Sequence, residues 1–244
     1  MKKTILITGT SRGIGLALAK HFLNLDFSVV GVSRGATPLE HENFYSLQAD
    51  LSRPEDVENL KTKLQSFSLS GFIHNAGVIT PMGPFAENNF HDWTNTFQVN
   101  LFSGGRLVQF GLPSLRKNHG FIIFLSGGGS AYPNPNFSAY GVSKTAVVRL
   151  SEVLAKELAP DIFVYCVAPG PNPTKMLEQA IQNGVVVPEE NKVDFSYPIR
   201  LCEFLAFNQN PGYSGKFIHV KDNYREWGEK EFAGDGYTLR RIKN

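Results

Sequence analysis

The fold is decided by the stretch Thr8-Gly9-Thr10-Ser11-Arg12-Gly13-Ile14-Gly15, which joins the apolar run Thr4–Thr8 to an amphipathic segment. A turn of this composition between a buried strand and a helix is typical of dinucleotide-binding units. Gly9 permits the tight turn, Gly13 lets the backbone approach a pyrophosphate, and Gly15 lets the helix pack on the strand. The amino end of the helix would present free N–H groups to phosphates, so the stretch predicts a dinucleotide site.

Short apolar runs continue along the chain, and amphipathic stretches separate most of them. The predicted strands cover residues 4–8, 27–33, 44–48, 71–74, 120–126, 162–167 and 216–220. The predicted helices cover residues 13–25, 54–67, 89–117, 139–158, 175–183 and 198–207. This alternation predicts right-handed βαβ units in a doubly wound, Rossmann-type parallel sheet flanked by helices. We expect a single α/β domain over residues 1–244, in which 221–244 form a docked C-terminal tail.

Composition excludes several classes of partner. The formal net charge of +2 is too small to favour nucleic acid or an anionic membrane. The two cysteines, Cys166 and Cys202, suit neither a disulfide framework nor a metal cluster, so no metal is expected. No apolar run reaches the roughly 18 residues of a membrane span, and the run at the amino end is shorter than a signal-peptide core. The sequence therefore predicts a cytoplasmic protein with a small-molecule substrate.

A pair of side chains suited to proton transfer lies on the long helix that follows the fifth predicted strand. Tyr140 and Lys144 are four residues apart, which puts them on one helix face. A phenol with a pKa of about 10 is a poor base at neutral pH. A neighbouring ammonium group and an oxidised nicotinamide would stabilise the phenolate. Tyr140 could then act as general acid or base between a carbonyl and an alcohol.

The Thr-Gly-x-x-x-Gly-x-Gly spacing and the Tyr-x-x-x-Lys pair resemble the short-chain dehydrogenase/reductase family, in its compact single-domain branch. The resemblance extends from the amino end to about Val220. It implies a sheet of about seven strands and an oxidoreductase that transfers hydride between a nicotinamide dinucleotide and a carbonyl or alcohol. It gives Lys144 a second contact, with the nicotinamide ribose, and gives Asn100 the role of holding a water in a proton relay.

The end of the second predicted strand indicates which dinucleotide binds. An acidic residue there would repel a 2′-phosphate, but the chain has Ser33 and Arg34, and Arg12 stands beside the glycine turn. Two guanidinium groups and a hydroxyl suit a phosphate dianion, which predicts NADP(H). The glycine turn and the resemblance together indicate the further cofactor-binding residues Gly9, Ser11, Gly13, Ile14, Gly15, Asp50, Leu51, Asn75, Ala76, Gly77, Tyr140, Lys144, Pro169, Gly170, Asn172 and Thr174.

The residue that should polarise the substrate oxygen departs from the family pattern. The resemblance implies a serine thirteen residues before the tyrosine, and that position is Gly127. Ser126 and Ser130 flank it, and alternation along a strand would aim Ser126 at the opposite face. The glycines of residues 127–129 could relax the register and let either serine reach the site. Our hypothesis favours Ser126; if neither serine reaches, the substrate would have to supply the donor, or activity would be weak.

The substrate pocket and the subunit assembly are predicted from apolar residues. A mainly apolar pocket wall is expected from Gly127, Gly128, Tyr132, Phe137, Pro171 and residues 176–177. This wall favours a neutral carbonyl compound. Two alternatives stay open. One is a catalytically weak NADP(H)-binding regulatory protein. The other is a sugar-linked ketoreductase of surface-polysaccharide synthesis, because the C-terminal tail resembles the tails of enzymes of that pathway. A homodimer or homotetramer is expected from the apolar helix positions Phe97, Leu101, Val147, Leu150 and Leu154.

Overall fold

The computed structural model describes residues 2–233 and 236–239 of the 244-residue chain. Seven parallel strands pair in the order β3-β2-β1-β4-β5-β6-β7. Their bounds are β1 Thr4–Thr8, β2 Ser28–Ser33, β3 Phe44–Gln48, β4 Leu69–His74, β5 Phe121–Leu125, β6 Phe163–Ala168 and β7 Phe217–His219. The predicted Rossmann-type sheet is confirmed, with every predicted strand present within two residues of its predicted bounds.

The helices lie between the strands and flank the sheet. They are α1 Gly13–Asn24, α2 Pro54–Leu64, α3 Phe90–Phe97, α4 Ser103–Lys117, α5 Ser138–Glu157, α6 Lys175–Gln182, α7 Ser196–Phe207 and the short α8 Glu229–Phe232. The prediction of one continuous helix over 89–117 is wrong. Asn89 caps α3 by accepting from the His91 and Asp92 N–H groups, and a π-helical turn over Gln98–Phe102 separates α3 from α4. None of the described helices combines the length and the apolar character that a membrane span needs.

Both faces of the sheet are covered, and strand alternation divides the core in two. Ile5 and Ile7 of β1 pack in one cluster with Phe22 of α1. Leu6, between them, faces the other side and packs in a cluster with Leu107 of α4. All three β1 side chains are fully buried. Burial on both faces explains why the central strands are almost wholly apolar.

The order of the strands positions the functional site. From β1 the chain moves outward to β2 and β3 on one side, then returns to β4 on the other side of β1. The direction of winding therefore reverses between β1 and β4. In open α/β sheets, ligands bind in the crevice outside the carboxyl ends of the strands at this point. The glycine turn after β1 and the segment after β4 border that crevice.

The described part of the C-terminal segment contacts both the edge strand and α5. The Phe217 N–H donates to the Tyr237 carbonyl at 2.7 Å. The Arg149 Nη2 donates to the Leu239 carbonyl at 2.6 Å, and the Leu239 N–H donates to Glu152 Oε1 at 2.6 Å. Residues 234–235 and 240–244 of the predicted tail lie outside the described residues.

One apolar position assigned to a subunit interface belongs instead to the core of the chain. Val147 is fully buried in the cluster between α5 and the sheet, so it cannot contact a second subunit. The other assigned positions, Phe97, Leu101, Leu150 and Leu154, are partly buried. Helical periodicity alone did not distinguish the side of α5 that packs on the sheet from the side that faces outward.

Candidate active site

The turn between β1 and α1 has the shape that a bound phosphate requires. Gly9 and Gly13 have φ values of 77° and 58°, in the left-handed region that favours glycine. A Cβ on Gly15 would lie 2.2 Å from the Gly9 carbonyl oxygen. Within the described residues, no side chain caps α1, and its first turn carries no acidic residue. The N–H groups and the positive end of the helix dipole are therefore left for an anion, which fits a dinucleotide.

The end of β2 combines hydroxyl groups with exposed arginines. The Ser33 hydroxyl donates to the Gly35 carbonyl at 2.7 Å and lies 3.2 Å from Thr37 Oγ1. Thr10 Oγ1, from the glycine turn, lies 3.0 Å from the same Thr37 oxygen. Arg12 and Arg34 are both exposed. These contacts fold the loop after β2 against the glycine turn and leave the two guanidinium groups accessible from solvent.

Asp50 and Leu51, expected at the adenine edge, follow β3. Partial burial acts to raise the pKa of Asp50, but hydrogen bonds from the Ser52 N–H and hydroxyl lower it, and the charge of Arg34 adds to this. Asp50 is therefore ionised at neutral pH. The side chain of Leu51 is buried in the core beside α2, so only its backbone is placed to reach a ligand.

Thr8 and His74 connect the segment after β4 to the rest of the site. The Thr8 hydroxyl accepts from the Asn75 and Ala76 N–H groups at 3.1 and 3.0 Å. His74 Nδ1 lies 3.1 Å from the Thr8 hydroxyl, and its Nε2 lies 3.2 Å from the Val99 carbonyl. Because a carbonyl only accepts, Nε2 carries the hydrogen and Nδ1 accepts from Thr8.

His74 stays uncharged, since burial, with a smaller contribution from the charge of Lys144, lowers its pKa to about 3. The neutral imidazole joins the end of β4 to the π-helical turn that carries Asn100. Sequence reasoning did not assign the connecting role of Thr8. This role could have been suspected from the sequence, because Thr8 places a hydroxyl group at the last position of the first strand.

The structure brings three of the predicted catalytic residues together. Lys144 Nζ donates to the Leu125 carbonyl at 2.8 Å and lies 5.9 Å from the centre of the Tyr140 ring. A Cβ on Gly77 would lie 3.3 Å from Asn100 Oδ1 and 3.4 Å from Lys144 Nζ. The segment after β4 thus passes close to the lysine and the asparagine, and a Cβ at Gly77 would crowd both side chains.

Asn100 is fully buried, and its amide is engaged on both sides. Its Oδ1 accepts from the Val78 N–H at 2.8 Å. Its Nδ2 donates to the Val78 carbonyl at 3.0 Å and to the Ser143 hydroxyl at 2.9 Å. Asn100 therefore ties the loop after β4 to α5 just beside Tyr140. Ser143 was not assigned from sequence, although it lies within the Tyr-x-x-x-Lys pair.

Burial sets the protonation of the two ionisable groups. It raises the pKa of Tyr140 to about 12 and lowers the pKa of Lys144 to about 8. At neutral pH the phenol therefore carries its proton, and the lysine is mostly charged. This is the state in which Tyr140 can donate a proton to an acceptor.

The glycine in the place of the expected serine faces the phenol directly. A Cβ on Gly127 would lie 2.4 Å from the Tyr140 hydroxyl oxygen. The Ser130 hydroxyl donates to the Gly127 carbonyl at 2.6 Å. The Ser126 hydroxyl lies 3.1 Å from both the Lys144 carbonyl oxygen and Ser130 Oγ. Both serine hydroxyls are thus engaged with their surroundings.

The hypothesis that the glycines turn Ser126 toward the phenol is not met in this structure. The Ser126 N–H donates to the Val167 carbonyl at 2.8 Å, which continues the pairing of β5 with β6 past the last residue of β5. This bond holds Ser126 in the strand register. Its hydroxyl therefore faces the Lys144 backbone, and among the described residues it makes no hydrogen bond to Tyr140.

One side of the Tyr140 ring contacts an apolar wall. Ile79, Phe137 and Ala180 are buried there, and Met82, Met176 and Val185 are partly buried against them. The predicted lining residues Phe137 and Met176 are part of this wall. Tyr132, also predicted to line the pocket, is instead 72% exposed.

The proline-rich loop after β6 lies across the glycine turn. Asn172 Nδ2 donates to the Pro169 carbonyl at 2.6 Å and the Gly170 carbonyl at 3.0 Å, which closes the loop on itself. Thr174 caps α6 by accepting from the Leu177 N–H at 3.2 Å. A Cβ on Gly13 would lie 3.4 Å from the Thr174 methyl group, so this loop covers the phosphate end of the crevice.

Comparisons with known proteins agree with this arrangement. The family model described as short chain dehydrogenase matches residues 3–184. An uncharacterised oxidoreductase of Schizosaccharomyces pombe is 31% identical over 250 residues, covering 90% of this chain and 97% of the relative. A benzil reductase of Saccharomyces cerevisiae that forms (S)-benzoin is 36% identical over 194 residues, covering 72% of this chain and 74% of the relative. The solved structure of a short chain dehydrogenase/reductase from Saccharomyces cerevisiae superposes with a TM-score of 0.82 at 26% identity, covering 92% of this chain and 98% of that one.

Proposed function

Because the chain belongs to the short-chain dehydrogenase family, we propose that it is an NADP(H)-dependent oxidoreductase that interconverts a carbonyl and an alcohol. The observation that carries the proposal is the protonated Tyr140 hydroxyl, held at the carboxyl end of β5 with Lys144 beside it. A nicotinamide cofactor in the crevice would supply the hydride. The chain itself supplies the proton, the orientation and the exclusion of water.

The four side chains predicted to be catalytic divide into two that act on the substrate and two that position them. Tyr140 donates its proton to the carbonyl oxygen during reduction and takes it back during oxidation. The ammonium group of Lys144 stabilises the phenolate that remains. Asn100 holds α5 and the loop after β4 together, so that the lysine and the tyrosine keep their separation. Ser126 is retained as a residue that holds β5 against α5, through its contact with the Lys144 carbonyl.

The residues proposed to hold the cofactor form three groups around the crevice. The glycine turn would take the pyrophosphate, and the segment 75–77 would lie along the nicotinamide ribose with Tyr140 and Lys144. The loop residues Pro169, Gly170, Asn172 and Thr174 would close over the nicotinamide. The adenosine end would contact Ser33, Arg34, Asp50 and the backbone of Leu51, with Arg12 approaching from the turn.

The preference for NADP(H) rests on charge at the end of β2. Arg34 is exposed there, Arg12 is exposed on the glycine turn, and Thr37 contacts both the Ser33 hydroxyl and Thr10 of that turn. We expect NADPH to bind at least tenfold more tightly than NADH, a difference of about 1.4 kcal/mol. Titration of both cofactors at fixed ionic strength measures this ratio. Arg34→Ala should weaken NADPH binding and so remove most of the difference between the two cofactors, while NADH binding stays nearly unchanged. Equal affinities for NADPH and NADH in the wild type would refute the preference.

The acid–base role is tested by removing the proton without removing the ring. Tyr140→Phe should lower turnover by about 10²–10⁴-fold, the usual effect of a positioned general acid, and leave cofactor affinity unchanged. Tyr132→Phe is the matched control, because Tyr132 is exposed and outside the apolar wall. Carbonyl compounds of several classes, benzil among them because of the benzil reductase relative, form the test panel. Near-normal turnover by Tyr140→Phe would exclude the phenol as proton donor.

The absence of a side chain at Gly127 favours one competing function, a regulatory protein that binds NADP(H) with little catalysis. The same panel separates the two functions. A regulator would bind NADPH and oxidise none of it with any carbonyl compound. Consumption of NADPH that depends on Tyr140 would establish the enzyme.

A further inference from the structure

Among the described residues, no side-chain hydroxyl forms a hydrogen bond with the Tyr140 hydroxyl. The residue that faces it is Gly127, whose added Cβ would lie 2.4 Å from the phenol oxygen. The hydroxyl of Ser130 is directed to the Gly127 carbonyl, and that of Ser126 toward the Lys144 carbonyl and Ser130. Turning either hydroxyl toward the phenol would break these buried hydrogen bonds, each of which stabilises the fold.

When a carbonyl carbon receives hydride, its oxygen develops negative charge, and two hydrogen-bond donors stabilise that charge better than one. Loss of a single donor from such a site lowers turnover by about 10²–10³-fold in other enzymes. Tyr140 is the one donor that the described residues place at this point. An efficient reaction therefore needs a second donor, which none of the described residues supplies.

We propose that the substrate brings this donor itself, as an α-hydroxy ketone whose hydroxyl lies on the carbon next to the carbonyl. This inference rests on the proposed function. The carbonyl carbon gains a hydride from the reduced nicotinamide, and the carbonyl oxygen gains the proton of Tyr140. The α-hydroxyl only donates a hydrogen bond to the same oxygen and keeps its proton. The products are a vicinal diol and the oxidised nicotinamide, and solvent returns a proton to Tyr140.

The space around Gly127 fits such a substrate. A Cβ on Gly128 would meet no described atom within 4 Å, and a Cβ on Gly129 would lie 3.3 Å from the Tyr140 ring. Because residues 127–129 are all glycine, no side chain of this run lies between its backbone and the phenol. The apolar wall around Phe137 and Met176 also packs against Tyr140. An α-hydroxy ketone with an apolar substituent on the carbonyl would satisfy both sides.

Two ketones that differ by one methyl group test the inference. 2-Hydroxyacetophenone carries the donor, whereas 2-methoxyacetophenone keeps the electron-withdrawing oxygen but cannot donate. The ratio of their kcat/KM values is divided by the ratio of their rates with borohydride, which corrects for intrinsic reactivity. We expect the wild type to favour the hydroxy ketone by about 100-fold or more, the effect of one donor.

Two variants at position 127 identify the cause of that ratio. Gly127→Ser supplies a donor that serves both ketones, so it should reduce the corrected ratio to below about tenfold even if the added Cβ displaces the phenol and lowers both rates. Gly127→Ala adds the same Cβ without a donor, so it should keep the wild-type ratio even if both rates fall. NADPH titration tests whether each variant is folded. If neither variant folds, the corrected ratio of the two ketones in the wild type tests the inference by itself.

The outcomes separate this inference from the function on which it rests. Equal corrected rates for the two ketones in the wild type would overturn the substrate class and leave the oxidoreductase intact. An unchanged ratio in Gly127→Ser would also overturn it. Failure of the wild type to reduce any carbonyl compound with NADPH bound would overturn the proposed function and this inference together.

Discussion

At Tyr140 and Lys144, burial disfavours the charged form of each side chain. The pKa of the phenol rises to about 12 and that of the ammonium group falls to about 8. Reduction of a carbonyl starts from the neutral phenol and ends in a phenolate, so it needs Tyr140 protonated and Lys144 charged. Both conditions hold only below the pKa of the lysine.

This gives a pH dependence with a definite sign. We expect kcat/KM for reduction to be constant below pH of about 8 and to fall above it, as Lys144 loses its proton and no longer stabilises the phenolate. Initial rates between pH 6 and 10, at saturating NADPH, measure the profile. Lys144→Arg is the control, because its guanidinium group stays charged over that range and the fall near pH 8 should disappear. A profile that rises with pH would contradict this assignment.

The serines beside Gly127 illustrate how far sequence reasoning reaches at a single residue. The spacing from Tyr140 located the position that faces the phenol correctly, and alternation along the strand predicted that Ser126 would face away. The idea that glycines would relax the register did not hold, because the bond between Ser126 and Val167 extends the strand pairing. A bond to a strand distant in sequence is not visible in the local pattern.

Ser126→Ala follows from this geometry. The variant removes a contact with the Lys144 carbonyl, a loss of about 1 kcal/mol in the free energy of unfolding. Turnover should fall by less than about tenfold, since the hydroxyl does not touch the substrate oxygen. Ser130→Ala, which loses the bond to the Gly127 carbonyl, should behave similarly. A 10²–10³-fold loss of turnover confined to Ser126→Ala would restore it as the donor to the substrate.

Among the elements, the strands and most helices could be predicted from hydrophobic periodicity, because buried parallel strands are short apolar runs. The interruption between α3 and α4 could not. The π-helical turn over Gln98–Phe102 arises where Asn100 bonds to the loop after β4 and His74 bonds to the Val99 carbonyl. Both contacts come from segments more than twenty residues away, so local propensity carries no sign of them.

Two adjacent glycines of α4 test the packing of this turn. A Cβ on Gly104 would lie 2.7 Å from the His74 ring, whereas a Cβ on Gly105 would meet only Leu150, at 3.9 Å. Gly104→Ala should lower the free energy of unfolding by about 1–3 kcal/mol through overpacking. Gly105→Ala should leave it unchanged or raise it by up to about 1 kcal/mol, because alanine favours the helix. Urea denaturation measures both, and equal effects would show that His74 does not constrain α4.

For the whole molecule, the location of the site could be predicted because parallel strands bring their carboxyl ends to one edge of the sheet. Asn75 after β4 bonds to Gly9 after β1, and Thr174 after β6 lies beside Gly13 of the same turn, for that reason. Which outer surfaces remain exposed could not be predicted. Both sides of α5 carry apolar residues, and only the packing of the helix against the sheet shows which of these residues remain exposed to solvent.

Those exposed residues carry the prediction of self-association. Phe102, Val142 and Val153, on the π-helical turn and α5, are 56%, 51% and 42% exposed, and contact with a second copy would bury them. We expect light scattering at micromolar concentration to give at least twice the chain mass of 27.0 kDa. Val153→Asp should shift the mass toward that of one chain, because association would then bury an unpaired charge. Val186→Asp, at a position that is 88% exposed outside these helices, is the control and should leave the mass unchanged. A wild-type protein that is monomeric at this concentration would show that these side chains stay in solvent.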